Sequence, residues 1–167
     1  MPPPHKRLLT FEQHSLPQFQ PITIRVTYVE NYVRQSFILE LQAFKMTTFE
    51  EAFDVVSNTF RFPSSNMQQK TGTRKIVGER KDVFVNLPTG FGKALLYQEQ
   101  PLVFDLTSQE PGYIVVVVSL LIGLMEDQVP HLKELGLKAA NISSLQDGEC
   151  IRVENGEYSL VYGSPEA

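Results

Sequence analysis

Lys93 follows Gly90-Phe91-Gly92 and precedes Ala94-Leu95-Leu96-Tyr97-Gln98, and the apolar run DVFVNL (82–87) comes just before. Strand, glycine turn, lysine and helix, in that order, make the context in which a backbone cradles phosphate. Amides in the turn and at the helix start converge with partial positive charge. Gly90 and Gly92 let the main chain approach a phosphate without a Cβ in the way. Lys93 would neutralise the β and γ oxygens of a triphosphate. Thr89, Gly90, Phe91, Gly92, Lys93 and Ala94 are therefore the candidate ATP loop. The plainer alternative is a glycine turn between a strand and a helix with Lys93 solvated.

The residue after the lysine normally carries a hydroxyl that ligates magnesium. Here it is Ala94, and a methyl group cannot ligate a metal. Loop amides and Lys93 remain, so nucleotide binding is chemically possible. The expectation is weak or magnesium-insensitive ATP binding with little hydrolysis. Thr89 has a hydroxyl but lies before the turn and is a poor substitute.

The elements that must position this loop sit in a chain of 167 residues, 42% hydrophobic and 20% charged, a globular balance. The net charge of −4 makes it a poor bulk attractor for nucleic acid, so any such contact must be local. Cys150 is the single cysteine and reads as a small apolar residue in a reducing compartment. No His/Cys spacing suits a metal cluster, and His131 reads as a surface or capping histidine. The greasiest run, IVVVVSLLIGLM (114–125), is too short to span a bilayer, so no membrane association is expected. The N-terminus carries no apolar core segment and is not a secretory signal.

Residues 1–45 form a proline-rich extension of unassigned role, with an alternating stretch around Ile22 to Val29 that reads as strand. Thr48 and Glu51 resemble a capping box, and Phe49, Ala52, Phe53, Val56 and Phe60 then recur at helical spacing. The Phe62-Pro63-Ser64-Ser65 stretch breaks that helix. A weaker helix follows over Asn66 to Val77. Strands are expected at 82–87, 113–119, 138–142 and 159–162, and helices from Lys93 to about Phe104 and over 121–135, with Pro130 as a kink. The strand at 113–119 is apolar enough to need cover on both faces. Apolar strands alternating with helices predict an α/β fold with a parallel sheet flanked by helices. Lys70, Arg74, Lys75, Arg80 and Lys81 are a basic stretch that could meet phosphate or simply face solvent.

Three blocks occur in a telling order: DVFVNLPTGFGKALLYQ, then VVVVSLLIGLMEDQVPHLKELGLKAANIS, then SLVYGSPEA. Over about Phe49 to Ala167 the chain resembles the first RecA-like lobe of RecQ-type ATP-dependent DNA helicases of superfamily 2. The resemblance implies an incomplete RecA-like P-loop domain over 46–167, ATP and DNA as partners, magnesium as a cofactor, 3'-5' unwinding in repair and recombination, and a nuclear location. The family's PTG-x-GKS motif falls on Pro88 to Ala94. Its SPLI-SLM-x-DQ motif falls on Ser119 to Gln128, with Leu120 in place of proline and Gly123 in place of serine. In the family that block lines the DNA path, which implies DNA contact through Ser119, Leu120, Met125, Asp127 and Gln128. The YGSPE block implies the same for Gly163 and Ser164. Gln69, preceded by the aromatic Phe62, is the match for the family's adenine-reading glutamine, with Gln68 as a rival.

Bland readings stand beside these. Met125, Leu124 and Leu121 suit a core, and Asp127 with Gln128 suits an exposed helix face. The family's DEAH-type box lies further along than Ala167, so the chain reads as truncated before it, and a second lobe is also expected elsewhere. On that reading the chain is a helicase fragment unable to hydrolyse ATP or unwind DNA by itself. The alternatives are a non-catalytic nucleotide- or protein-binding module, or a truncated gene product without function.

Overall fold

The computed structural model describes residues 9–13, 22–25, 47–62, 65–88, 90–108, 112–144, 152–153 and 155–165. Its strands are β1 (Leu9–Gln13), β2 (Ile22–Arg25), β3 (Val83–Val85), β4 (Val115–Ser119), β5 (Ala139–Asn141) and β6 (Leu160–Gly163). Its helices are α1 (Phe49–Phe60), α2 (Met67–Val77), α3 (Leu95–Gln98), α4 (Gln100–Thr107) and α5 (Ile122–Glu134). Cys150, Thr89 and Glu166 lie outside the described residues.

The helices begin where local chemistry says they should. Thr48 caps α1: its hydroxyl accepts from the Glu51 amide at 3.3 Å, and the Glu51 carboxylate accepts from the Thr48 amide at 2.8 Å. Asn66 and Gln69 make the same reciprocal pair at the start of α2, at 2.9 and 2.7 Å. That box offsets the poor helix propensity of TGT within α2. Gly72 has a packing reason as well: a Cβ there would stand 2.9 Å from Leu96 Cδ2, so α2 and α3 sit against each other where only hydrogen fits. The helix expected as one piece from Lys93 is two, α3 and α4, joined at Glu99. α5 runs through Pro130 as one helix.

Six strands form one sheet in the order β3-β2-β1-β4-β6-β5. The strands β1, β4, β6 and β5 are mutually parallel, and the antiparallel β2 joins β1 to β3. The α/β, RecA-like reading is thus the observed one, with one antiparallel strand added. That strand and β1 come from the N-terminal extension, which sequence reading left without a role. Their alternation has a register to match. Leu9 and Phe11 pair with Val115 and Val117, and Ile22 and Ile24 with Val85 and Val83.

Crossover direction decides where the helices go. The steps from β3 to β4 and from β4 to β5 run the same way along the sheet, and the step from β5 to β6 runs back. Right-handed connections therefore place α3, α4 and α5 on one face and the β5–β6 connection on the other. Packing agrees. All five helices bury residues in one cluster with Val115, Val117, Leu160 and Tyr162. A smaller cluster on the opposite face gathers Ile114, Ala140, Tyr158 and Val161, with Val116 at its edge. β4 alternates buried and half-buried residues, so its second face is less covered than its composition suggested. It is paired on both edges, by β1 and β6, so it presents no unpaired apolar edge.

Because β1 is hydrogen-bonded on both sides, Phe11→Pro removes a ladder donor from an interior strand. The expected result is a loss of about 2 kcal/mol or more and a thermal midpoint lower by roughly 4–8 °C. Circular dichroism melts check this; an unchanged midpoint would remove β1 from the sheet.

Candidate nucleotide-binding site

β3 runs parallel to β4, β5 and β6, so the segments leaving those strands all emerge at one end of the sheet. In open α/β sheets ligands bind beyond the carboxyl ends of the strands. The candidate loop leaves β3 there, next to the segments that follow β4 and β6.

The loop owes its shape to glycine. Gly90 and Gly92 have φ of 86° and 69°, a region that side chains disfavour. Gly92 also lies against Gln69, where a Cβ would stand 2.4 Å from Gln69 Nε2. That amide nitrogen donates to the carbonyls of Phe91 at 3.3 Å and Gly92 at 3.0 Å. Gln69 Oε1 meanwhile accepts from the Asn66 amide. One buried side chain thus ties the start of α2 to the candidate loop. Asn66 Nδ2 adds a longer contact to the Phe91 carbonyl at 3.5 Å. Both donors of the Gln69 amide are engaged by the loop, and a lone pair on Oε1 remains for a ligand.

Lys93 is half-buried, and its ammonium donates to the Leu87 carbonyl at 2.9 Å. An ammonium has three donors, so two are left for phosphate oxygens. Ala94 contributes a methyl to the cleft, and the described residues contain no group of three metal-ligating side chains. The backbone and Lys93 therefore suit a polyphosphate, whereas the side chain at position 94 does not suit its metal. Around the loop lies a cleft of about 580 Å³. Phe60, Phe62, Asn66 and Gln69 line it together with the loop from Gly90 to Gly92, Ala94, Leu95, Gln98 and His131. Phe62 and Gln69 thus share the cleft with the loop. Gln68 is exposed and absent from the lining. His131, which reads from the sequence as a surface or capping histidine, is exposed and lies at the edge of this cleft.

The candidate DNA residues divide by exposure. Leu120 is 52% exposed, and Leu121 and Ile122 beside it are exposed too, so the end of β4 presents an apolar step. Asp127 is exposed. Met125 is fully buried in the main core. Ser119 is buried, and its hydroxyl accepts from the Leu121 amide at 3.2 Å. Gln128 Oε1 accepts from the Tyr97 hydroxyl at 2.9 Å, which links α5 to α3. Gly163 is buried, and the Ser164 amide donates to Ser143 Oγ at 3.2 Å. Ser119, Met125 and Gly163 therefore shape this end of the sheet from within, Gln128 is half-buried, and Leu120 and Asp127 reach solvent.

The DEAD/DEAH box helicase family matches residues 65–167, which is most of the chain. This chain belongs to that family. Its curated relatives of similar sequence include the ATP-dependent DNA helicase RecQ of Bacillus subtilis, 32% identical over 120 residues, or 69% of this chain and 19% of that protein. The mouse ATP-dependent DNA helicase Q1 is 33% identical over 125 residues, 71% of this chain and 18% of that protein. The ATP-dependent helicase SGS1 of Saccharomyces cerevisiae is 36% identical over 122 residues, 70% of this chain and 8% of that protein. The chain thus spans about a fifth or less of the length of these helicases, and its RecQ resemblance lies within that stretch. No described helix is long and apolar enough to cross a membrane.

Behind the helicase loop, at the α3–α4 junction, Glu99 is fully buried. The Thr73 hydroxyl donates to it from α2, Ser65 Oγ reaches it at 3.4 Å, and Gln100 Nε2 donates to Thr73 Oγ1 at 3.3 Å. Burial pushes the Glu99 carboxyl from its ordinary 4.5 up to about 7, against the opposing pull of the Thr73 and Ser65 bonds and the Lys70 charge. Between those values the folded chain holds a proton that the unfolded chain has released. Stability therefore falls as pH rises through that window and levels off above it. Each tenfold difference in proton affinity is worth about 1.4 kcal/mol, so the cost at pH 8 is about 3–4 kcal/mol. Glu99→Gln keeps a neutral acceptor and should raise the melting midpoint at pH 8 by several degrees while flattening its dependence on pH. A midpoint with the same pH profile in both proteins would show that Glu99 does not carry it. Gly92→Ala places a methyl against Gln69 and should loosen the loop, read as faster proteolysis within 88–95.

Proposed function

We propose that this chain forms the nucleotide- and DNA-contacting part of a RecQ-type, ATP-dependent 3'-5' DNA helicase acting in the nucleus. By itself it grips adenine nucleotide without the usual help of magnesium and turns it over slowly or not at all. The observation that carries this reading is the bond from buried Gln69 to the carbonyls of Phe91 and Gly92, which holds a glycine turn open beside a lysine at the end of a sheet. In this reading the loop amides and the two remaining donors of Lys93 bind phosphate. Phe60 and Phe62 flank the base, and Oε1 of Gln69 accepts from the adenine amino group. Magnesium, when bound in the family, supplies charge at the terminal phosphates; this chain's loop lacks the hydroxyl that would hold it. DNA follows the apolar step at Leu120 to Ile122 and the exposed Asp127 helix face.

A second reading is a non-catalytic nucleotide-binding module, which Ala94 favours directly. Both readings predict the same first measurement and part at the next. By calorimetry, ATP should bind with an affinity that changes less than about threefold on adding magnesium, and Lys93→Ala should weaken it by roughly tenfold or more. Ala94→Ser should restore a magnesium enhancement. Strong enhancement in the parent chain would overturn the claim about the metal. Binding of single-stranded DNA by the same protein, weakened by Leu120→Asp, favours the helicase reading over the module.

A further inference from the structure

The glycine loop is braced from two helices, and the two braces meet again at Glu99. The Gly92 carbonyl accepts from Gln69 Nε2 of α2 at 3.0 Å and from the Leu95 amide, the first of α3, at 3.1 Å. α3 runs directly into the junction: the Glu99 amide donates to the Leu95 carbonyl at 2.9 Å, and the Glu99 carbonyl accepts from the Val103 amide of α4 at 3.0 Å. The Glu99 side chain then crosses back to α2. Its Oε1 accepts from Thr73, one turn beyond Gln69 on the same face. Its Oε2 lies 3.4 Å from the hydroxyl of Ser65, four residues before Gln69. Ser65, Gln69, Thr73 and Glu99 are all buried. Gln69, Gly92, α3 and Glu99 therefore close a ring of contacts with the loop at one corner.

We propose that Glu99 is a positioning residue for the glycine loop: its neutral carboxyl locks α2 onto the α3–α4 junction and so keeps Gln69 on the loop, and ionisation of that carboxyl loosens both the lock and the hold on a nucleoside triphosphate. This rests on the nucleotide reading given above. A neutral carboxyl suits the site, since Oε1 accepts from Thr73 while a proton on Oε2 has Ser65 Oγ within reach. The charged group that bears on Glu99 from α2 is Lys70, and that ammonium pairs with Glu50 of α1 at 3.4 Å. Among the other buried residues of α1, α3 and α4, Tyr97 alone titrates, and its hydroxyl donates to Gln128. The half-buried Asp105 of α4 accepts from the Gly112 amide. A carboxylate left in this apolar setting draws water toward itself, at the expense of the contact between α2 and the junction. Glu99 thus acts through Gln69, from behind the loop.

The test is calorimetric binding of ATP to the whole chain, without magnesium, from pH 6 to pH 8, in the parent, Glu99→Gln and Glu99→Leu. Circular dichroism confirms that each chain stays folded at every pH. The carboxyl, which burial raises to about 7, sets the window. At pH 6 the parent and Glu99→Gln should bind alike; by pH 8 the parent should bind roughly threefold to tenfold more weakly than Glu99→Gln. Glu99→Leu cannot ionise but cannot bond to Thr73 or Ser65 either, and should bind roughly threefold or more weakly than Glu99→Gln at every pH. Titration of ATP itself and of His131 is common to all three chains, so the differences isolate Glu99. Tryptic cleavage after Lys93, measured without nucleotide and compared between chains at each pH, should follow the same pattern. If ATP binds and Glu99→Gln tracks the parent at every pH, or Glu99→Leu binds as Glu99→Gln does, the inference falls and the nucleotide reading stands. If no chain binds ATP, the nucleotide reading falls and cleavage decides the positioning role alone: the same pattern upholds it, and equal rates in all three chains overturn it.

Discussion

The geometry of this molecule turns on one side-chain amide. Gln69 bonds backward to the amide that starts α2 and forward to two consecutive carbonyls of the glycine loop. A glycine turn that follows a three-residue strand has few bonds of its own. Gln69 supplies the missing restraint from outside, and it can do so only because Gly92 leaves room for it. Position and conformation of the loop are therefore properties of the contact between α2 and α3, and so of every residue that seats those helices together.

That seating is itself unusual in its chemistry. Gly72 lets the two helices come close, and just beyond it Thr73, Glu99 and Gln100 form a polar knot inside an apolar core. The Gln100 oxygen Oε1 has no hydrogen-bond partner there. Buried polar groups of this kind cost stability unless satisfied, yet they fix the relative rotation of the elements that carry them. Proton uptake at Glu99 thus bears on the same helix pair that carries Gln69. The helicase loop is held by an apparatus more sensitive to its surroundings than its apolar flanks suggest.

Much of this was legible in the sequence. The capping box at Thr48 and Glu51, the strand–turn–lysine–helix order and the apolar strand before Ser119 each follow from local rules, and each is found. What stayed hidden depends on distant partners. The alternation in residues 22–25 speaks for a strand but not for its neighbours, and its place beside β3 is set by the gap between β3 and β4. Gln69 reads as a ligand-facing residue in isolation, while its bonds run to the loop itself. Ser119, Met125 and Gln128 sit in one motif with Leu120 and Asp127, yet burial divides them, because the chain turns from strand to helix at that point. His131 reads as a surface residue, and its place at the edge of the cleft depends on how α5 packs against α3.

The placement of β1 and β2 has a kinetic side. β3 and β4 are joined by a local crossover, but they do not touch; the two strands between them arrive from far back in the chain, with Leu9 registered on Val115. Helices α1 to α5 can collapse on one another early, from short-range contacts. The sheet beneath them closes only when a distant hairpin threads into a two-strand gap, and closing so long a loop is entropically slow. A chain in which that hairpin is not docked would leave β3 and β4 with open flanks, where chain association can compete with completion of the fold.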